Sequence, residues 1–526
     1  MFKSTKQRVS LTTDIWTANV TGATTISAVL LECLAEWGIE RIFTITVDNA
    51  TANTSALTKF KEVFKLLGND SLVLGGRFMH MRCAAHILNL IVKEGLEEVE
   101  ASVTAVRNGI QYVRSNTQRR NSFELRVENG RMTRGSLPLD VKTRWNSTYL
   151  MLTRAIKYRL AFDKMEAEDK LYNDYFLEVD KDGEERVGPP TSVDWENIER
   201  LVSFLIIFYN STLEVSASTK VCAHKCYDEI VTVEMNLSEL CLSNDADVRD
   251  KAYEMREKFD KYWDGLKTIN KLLIVASVFD PRNKMQFANL CFAELYGKDS
   301  EVTKQLTASI EVVLRQLFEE YTGNLTGQRE GPLFQSQRHF MAAATSHNGQ
   351  EVNGDLSDKM EVAADDHSLK YKRMRVLYKE LVKDKGIKDA SNELQLYLKE
   401  DVADPNVLMG AEFDVLSWWK VNTGRFPILS EIAKDVLAMQ VSSVASESAF
   451  STSGRILDPH RSCLSHYMIE VLMCTEQWLK DDIHFIEKGL ITIQQLLAEV
   501  ELHDTLEKVV GCFGVWSTQR DSAVSA

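Results

Sequence analysis

The stretch "FTITVDNATAN", residues 43–53, decides how the rest of the chain folds. Its first five residues, Phe43 to Val47, are apolar or β-branched, which is how a strand buried on both faces reads. The run stops at Asp48 and Asn49, and small helix-starting residues follow. Such a carboxylate has two readings. It caps the following helix, "ATANTSALTKFKEVFKLL", or it sits at the rim of a sheet, where open α/β folds build their sites. Sequence pattern leaves both open.

Upstream, "VSLTTDIWT" is dense in β-branched residues and reads as a short strand running to Asp14. Between the two strands, "TTISAVLLECLAEWG" places Ile26, Val29, Leu30, Leu34 and Trp37 at helical spacing, with Gly38 as its stop. Strand, helix, strand makes a βαβ unit, so the two strands are expected to run parallel. Parallel strands bring their C-terminal tips to one edge, which would set Asp14 beside Asp48. Two acids so placed repel unless a cation or a shared proton offsets them. A third strand, "RFMHMRC", leads into the helix "AAHILNLIVKEGLEEVEASV" and puts Cys83 and His86 at the junction. Two ligands do not close a zinc site, so packing or local hydrogen bonding is the expected role of that pair.

At 526 residues the chain is too long for one core. Its 44% hydrophobic and 26% charged residues are those of an ordinary globular protein. No window approaches the roughly 18 apolar residues of a membrane span, and the N-terminus lacks the marks of a signal or transit peptide. An intracellular protein with reduced thiols is expected, because nine scattered cysteines make no disulfide framework. Cys222, His224 and Cys226 in "CAHKC" suggest a structural helix ahead of a metal site, since no second half of a zinc site lies nearby.

Charge is uneven. The net charge is −14, yet residues 107–159 hold twelve Lys/Arg against three acids. That block either tracks a phosphate backbone or is a solvated surface balancing acidic neighbours. Helical periodicity dominates from about 160 to 325, residues 325–368 turn polar and Gly-rich, and dense patterning returns over 392–480. Trp418, Trp419, Phe426, Leu429, Leu437 and Trp478 exceed the needs of one helical hairpin. They form either an intrachain core or a core continuing into a partner surface.

Taken in order, "SLTTDIWT", "FTITVDNATAN", "MRCAAHILNLIV", "TRWNSTYLML", "FDVLSWWKVN" and "VSSVASESAFSTSGRILDPHRSCLS" closely resemble plant transposases of the hAT (hobo/Activator) superfamily, RICESLEEPER-type zinc finger BED proteins in particular. The resemblance implies an α/β plus α protein. Its RNase H-like mixed sheet is interrupted by a large α-helical insertion and followed by a helical C-terminal dimerisation segment. Carried over by motif, Asp14, Asp48 and Glu447 would be the catalytic carboxylates, holding Mg²⁺ or Mn²⁺ where that site is intact. Cys83 and His86 match the C-x-x-H element, and Arg144 with Trp145 the R-W element. DNA contacts are expected at Arg119, Arg120, Arg131, Arg134, Arg144 and Trp145, and dimer contacts at Trp418, Trp419, Phe426 and Leu429.

The implied organisation is an RNase H-like first part over 7–158, the insertion over 159–324 and a linker with a helix over 325–390. The dimerisation region with the last catalytic-type helix follows over 391–480, then a helical tail over 481–526. Two departures from the family pattern stand out. No Cys or His precedes Cys33, so no N-terminal BED finger and no zinc are expected. The passage from Asp14 to Asp48 also lacks room for two further strands, which would leave the first strand as an unpaired edge. The expectation is a domesticated, nuclear, transposase-derived protein that binds DNA and forms a homodimer or a hetero-oligomer with related proteins, without a membrane partner. An active Mg-dependent transposase is the alternative.

Overall fold

The computed structural model describes residues 7–13, 22–97, 99–133, 135–141, 144–179, 183, 185–217, 220–264, 268–326, 393–403, 413–456, 464–465, 467–476 and 479. The chain divides into two compact units, Met1–Ala445 and Ser446–Ala526.

Three strands form the sheet: β1 (Val9–Thr12), β2 (Ile42–Val47) and β3 (His80–Arg82), in the order β1-β2-β3. Both pairings are parallel, with Thr12 opposite Thr46 and Val47 opposite Arg82. The parallel pairing of the first two strands is as the βαβ pattern requires. The mixed sheet is corrected: among the described residues every strand is parallel, and β1 sits at the edge. Each residue of β2 is buried, the signature of a central strand covered on both faces.

On one face lie α1 (Ala23–Trp37) and α2 (Thr51–Phe64). There Leu34, Leu57, Phe60 and Phe64 pack with Ile42, Ile45, Val47 and Met79. Gly38 ends α1 in the left-handed region at φ 69°, where a residue without Cβ meets no steric penalty. The other face meets α3 (Ala84–Glu97) and the main helical body, in one core that joins Phe43 and Met81 to residues as distant as Val441.

That body continues through α4 (Glu100–Arg114), α5 (Thr117–Asn129), α6 (Trp145–Lys157), α7 (Arg159–Glu168), α8 (Lys170–Leu177), α9 (Ser192–Val215) and α10 (Ala223–Leu240). It goes on through α11 (Ala246–Trp263), α12 (Lys271–Val278), α13 (Lys284–Tyr296) and α14 (Glu301–Thr326). After residue 392 come α15 (Glu393–Lys399), α16 (Val415–Asn422), α17 (Pro427–Leu437) and α18 (Val444–Ile456), the last crossing from the first unit into the second. Caps mark several starts, among them the Thr191/Asp194 capping box of α9.

Candidate functional site at the sheet edge

Asp48 follows the last residue of β2 and stands at the C-terminal edge of the sheet. Its Oδ1 accepts the Ala50 N–H at 2.9 Å and a hydrogen bond from Asn53 Nδ2. That oxygen closes a turn ahead of α2, whose N-cap, Ala50, receives no side-chain cap, while Oδ2 takes part in neither bond. Beside it, Asn49 has both side-chain polar atoms buried with no hydrogen-bond partner among the described residues. Orphaned polar atoms next to a carboxylate suit a polar ligand such as a hydrated cation, so the residues fit a divalent metal at this rim. On the neighbouring strand, the Thr13 N–H still donates to Thr46 O at 3.0 Å. Asp14, the next residue, lies outside the described residues. Among the described residues no three His, Cys, Asp or Glu side chains gather as a metal-ligand set.

Cys83 sits between β3 and α3 and is fully buried. Its N–H donates to Val47 O at 2.9 Å, and its Sγ accepts the His86 N–H at 3.3 Å. Local hydrogen bonding at the helix start is thus what the thiol provides, and His86 contributes its main chain. The chain returns to this same edge after α17. Ala84 N–H donates to Val441 O at 2.8 Å, Thr46 Oγ1 donates to Gln440 O, and Thr12 Oγ1 reaches Ser442 O at 3.4 Å. Ser443 donates through both N–H and Oγ to Cys83 Sγ, at 3.2 and 3.3 Å. Helix α18 starts at the next residue, Val444. Glu447, its fourth residue, is solvent-exposed and belongs to the second unit.

His80, on β3, is held well below its usual range, to about 4, by burial and then by the nearby Arg82 charge. It is neutral at physiological pH, with a buried Nε2 that has no hydrogen-bond partner among the described residues. Cys222, His224 and Cys226 are buried at the start of α10, in agreement with a structural helix.

The basic block resolves into two sorts of residue. Arg107 is buried and forms a fork to Asp140 at 2.9–3.1 Å with a further bond to Glu100, so it is internal structure. Arg120, Arg126 and Arg159 pair with Glu124, Glu168 and Glu199. Arg119 is half-buried and lies over the Tyr112 ring at 4.1 Å. Arg131 and Arg144 are exposed, Arg131 in a left-handed turn at φ 54°, and Arg134 lies outside the described residues. Trp145 is 6% exposed. Its ring belongs to the helical core instead of the expected nucleic-acid surface, because α6 turns that position inward against the body.

Two further networks escaped the sequence reading. The end of α12 and the loop to α13 offer the Val278, Phe279 and Pro281 carbonyls to Tyr397 Oη, Trp419 Nε1 and Ala403 N–H at 2.8–2.9 Å. The second network links Arg8, Glu320, Tyr321 and Asp435, tying β1 to α14 and α17. The only sequence signal for the first was charge inside an apolar run, "VFDPRNK".

The hAT family C-terminal dimerisation region matches residues 393–479, the ZBED1 RNase-like helical domain residues 81–204, and the hAT-like transposase RNase-H fold residues 224–321. Zinc finger BED domain-containing protein RICESLEEPER 2 of Oryza sativa is 28% identical over 86% of this chain and 58% of its own length. "Putative AC transposase" of Zea mays is 29% identical over 91% of this chain and 53% of its own. Zinc finger BED domain-containing protein DAYSLEEPER of Arabidopsis thaliana is 25% identical over 86% and 57%.

Three regions of the chain match hAT-type domain models, and most of its length is similar to RICESLEEPER-type zinc finger BED proteins.

It spans between half and three-fifths of the length of these curated relatives. Within the hAT dimerisation region, the expected contact residues divide. Trp419, Phe426 and Leu429 are buried inside the first unit, and the Trp419 Nε1–H is committed to Phe279 O. That burial describes the intrachain-core alternative, and of the four expected contacts Trp418 alone keeps partial exposure. Trp478 lies outside the described residues. In the second unit, residues 467–476 are helical and expose Tyr467 (72%), Met468 (42%), Val471 (37%) and Leu472 (40%), with Leu479 beyond (56%). Among the described residues no helix is long and apolar enough to cross a membrane.

Proposed function

We propose that this hAT chain is a transposase-derived nuclear protein that self-associates through its C-terminal region and binds DNA without full transposition activity. The observation that carries the reading is the exposed apolar face of Tyr467, Met468, Val471 and Leu472, which lies in the region matching hAT dimerisation. Contiguous apolar surface at helical spacing is costly to leave in water and marks an association face. In this reading residues 7–158 begin the RNase H-like core, 159–324 are the insertion and 391–480 the dimerisation region. Arg119, Arg120, Arg131, Arg134 and Arg144 supply the phosphate contacts. A double substitution, Val471→Asp with Leu472→Asp, should turn a dimer into a monomer in sedimentation velocity. Wild-type protein that is monomeric at micromolar concentration sinks the dimer reading. DNA affinity should fall with salt, with a log–log slope of about 0.9 per neutralised phosphate. A flat salt dependence removes the arginines from the interface.

A second reading is favoured by the placement of Asp48 beside a parallel β1, with Oδ2 outside its bonds to Ala50 and Asn53 and Asn49 orphaned next to it. Here the protein is an active DNA-cleaving and strand-transferring enzyme, and Asp14, Asp48 and Glu447 hold Mg²⁺ or Mn²⁺. Such ions would supply charge stabilisation to the attacking and leaving oxygens in phosphoryl transfer. The chain's own part is to present the Asp48 carboxylate from the end of β2 and to keep that side chain oriented through its bonds to Ala50 and Asn53. Calorimetric Mn²⁺ titration of wild type, Asp48→Asn and Glu447→Gln separates the readings. Binding lost in both variants supports the enzyme, and absence of binding in the wild type removes it.

A further inference from the structure

We propose that the Cys83 thiol is a positioning residue, whose sulfur anchors the returning chain at Ser443 and thereby fixes where α18, the helix that carries Glu447, begins. Its bearing on metal binding rests on the second functional reading above; the anchor itself does not.

Three donors converge on one sulfur. The His86 N–H caps the first turn of α3 on it, and Ser443 supplies both its N–H and its hydroxyl from 360 residues further along the chain. Cys83 and Ser443 are each 0% exposed, so these donors have been taken out of water, and an acceptor lost there is felt. The Cys83 main-chain carbonyl is already engaged, accepting the Ile87 N–H at 3.1 Å. Its neighbour Ala84 meanwhile holds Val441. The sulfur therefore closes the last of the hydrogen bonds that fasten 440–443 to the strand tips. A neutral thiol is a weak acceptor, yet it has the radius to meet two donors of one residue at over 3 Å without crowding them.

A cysteine that merely fills space makes a different forecast. For a filler, valine is the better replacement and serine no better than alanine. For an acceptor, serine restores what alanine and valine lose. Hydrogen exchange across residues 438–446 of the full chain, read in Cys83→Ser, Cys83→Ala, Cys83→Val and Ser443→Ala, tells them apart. We expect exchange there to quicken about fivefold in the alanine and valine variants, with serine close to wild type. Cys83→Ala combined with Ser443→Ala should add little to either alone. Valine matching wild type, or serine matching alanine, overturns the anchor, and the serine–valine comparison still decides if Cys83→Ala fails to fold. Mn²⁺ titration of the same variants forms a separate arm. Weaker binding in Cys83→Ala that Cys83→Ser rescues ties the anchor to the carboxylates. Unchanged affinity in Cys83→Ala confines its role to the fold. A wild type that binds no metal removes the enzymatic reading and leaves the exchange result standing.

Discussion

The Lys284 ammonium lies 3.0 Å from the Glu400 carbonyl oxygen, 116 residues further along the chain, and 2.9 Å from that of Asp401. Lys284 is 1% exposed and its Nζ sits 4.8 Å from the centre of the Tyr397 ring. A buried cation is costly unless its protons are matched, and here two main-chain oxygens at the end of α15 and an aromatic face match them. Together with the Val278, Phe279 and Pro281 carbonyls, this contact docks the start of the dimerisation region on the helical body.

Lys284→Met should therefore destabilise the protein by about 1–3 kcal/mol, because two main-chain carbonyls lose their donor while volume is kept. Denaturant unfolding measures it. The pH dependence has a definite sign. Burial chiefly, with the Arg425 charge adding to it, lowers the Lys284 pKa from 10.5 to about 8, against opposing effects of Glu400 and Asp401. Between pH 8 and 10.5 the unfolded chain holds more protons than the folded one, so wild-type stability should rise with pH across that window. The rise should vanish in Lys284→Met.

Arg107 and Asp140 present the contrasting case of a buried pair, with side chains 5% and 2% exposed. Removing one partner strands the other, so Arg107→Met should cost about 3–5 kcal/mol. Arg120→Ala is the control. Its pair with Glu124 is exposed, one turn apart on α5, and should change stability by less than about 0.5 kcal/mol. Similar losses in the two variants would contradict the division of the basic block into internal and surface arginines.

Asp435 on α17 is buried against Tyr321, whose hydroxyl donates to Asp435 Oδ2, with Arg8, Glu431 and Lys434 nearby. Burial raises its pKa from 3.8 to about 6, against the opposing effects of Tyr321 and Arg8. A raised carboxyl pKa means the folded state keeps a proton that the unfolded state releases. Its stabilising contribution is present below pH 3.8 and lost as pH rises through 6. Asp435→Asn should flatten stability over that interval. An unchanged pH profile in the variant would assign the titration elsewhere.

Much of the sheet edge was legible before any coordinates. β2 announced itself because burial on both faces demands an unbroken apolar run, and α1 because one buried face imposes a 3.6-residue period. The parallel partnership of β1 and β2 followed from the helix between them, and the tip position of Asp48 from that partnership. The local bonds of Asp48 are of the same short range, since donor and acceptor lie within five residues. Trp145, Trp419, Phe426 and Leu429 were a different matter. Their composition marks them as fit for a core or for a partner, and nothing in their local spacing says which.

The sequence by itself thus determined the strand and helix types, the motifs that resemble hAT proteins and the acid at the end of β2, each of which rests on neighbours a few residues apart. Tertiary structure decided which arginines are internal, that Lys284 is buried under Tyr397, and that Ser443 meets Cys83. The physical reason is range. Burial and pairing depend on groups brought together from 33 residues apart for Arg107 and Asp140, 116 for Lys284 and Glu400, and 360 for Cys83 and Ser443. No local pattern of side chains encodes distances of that kind.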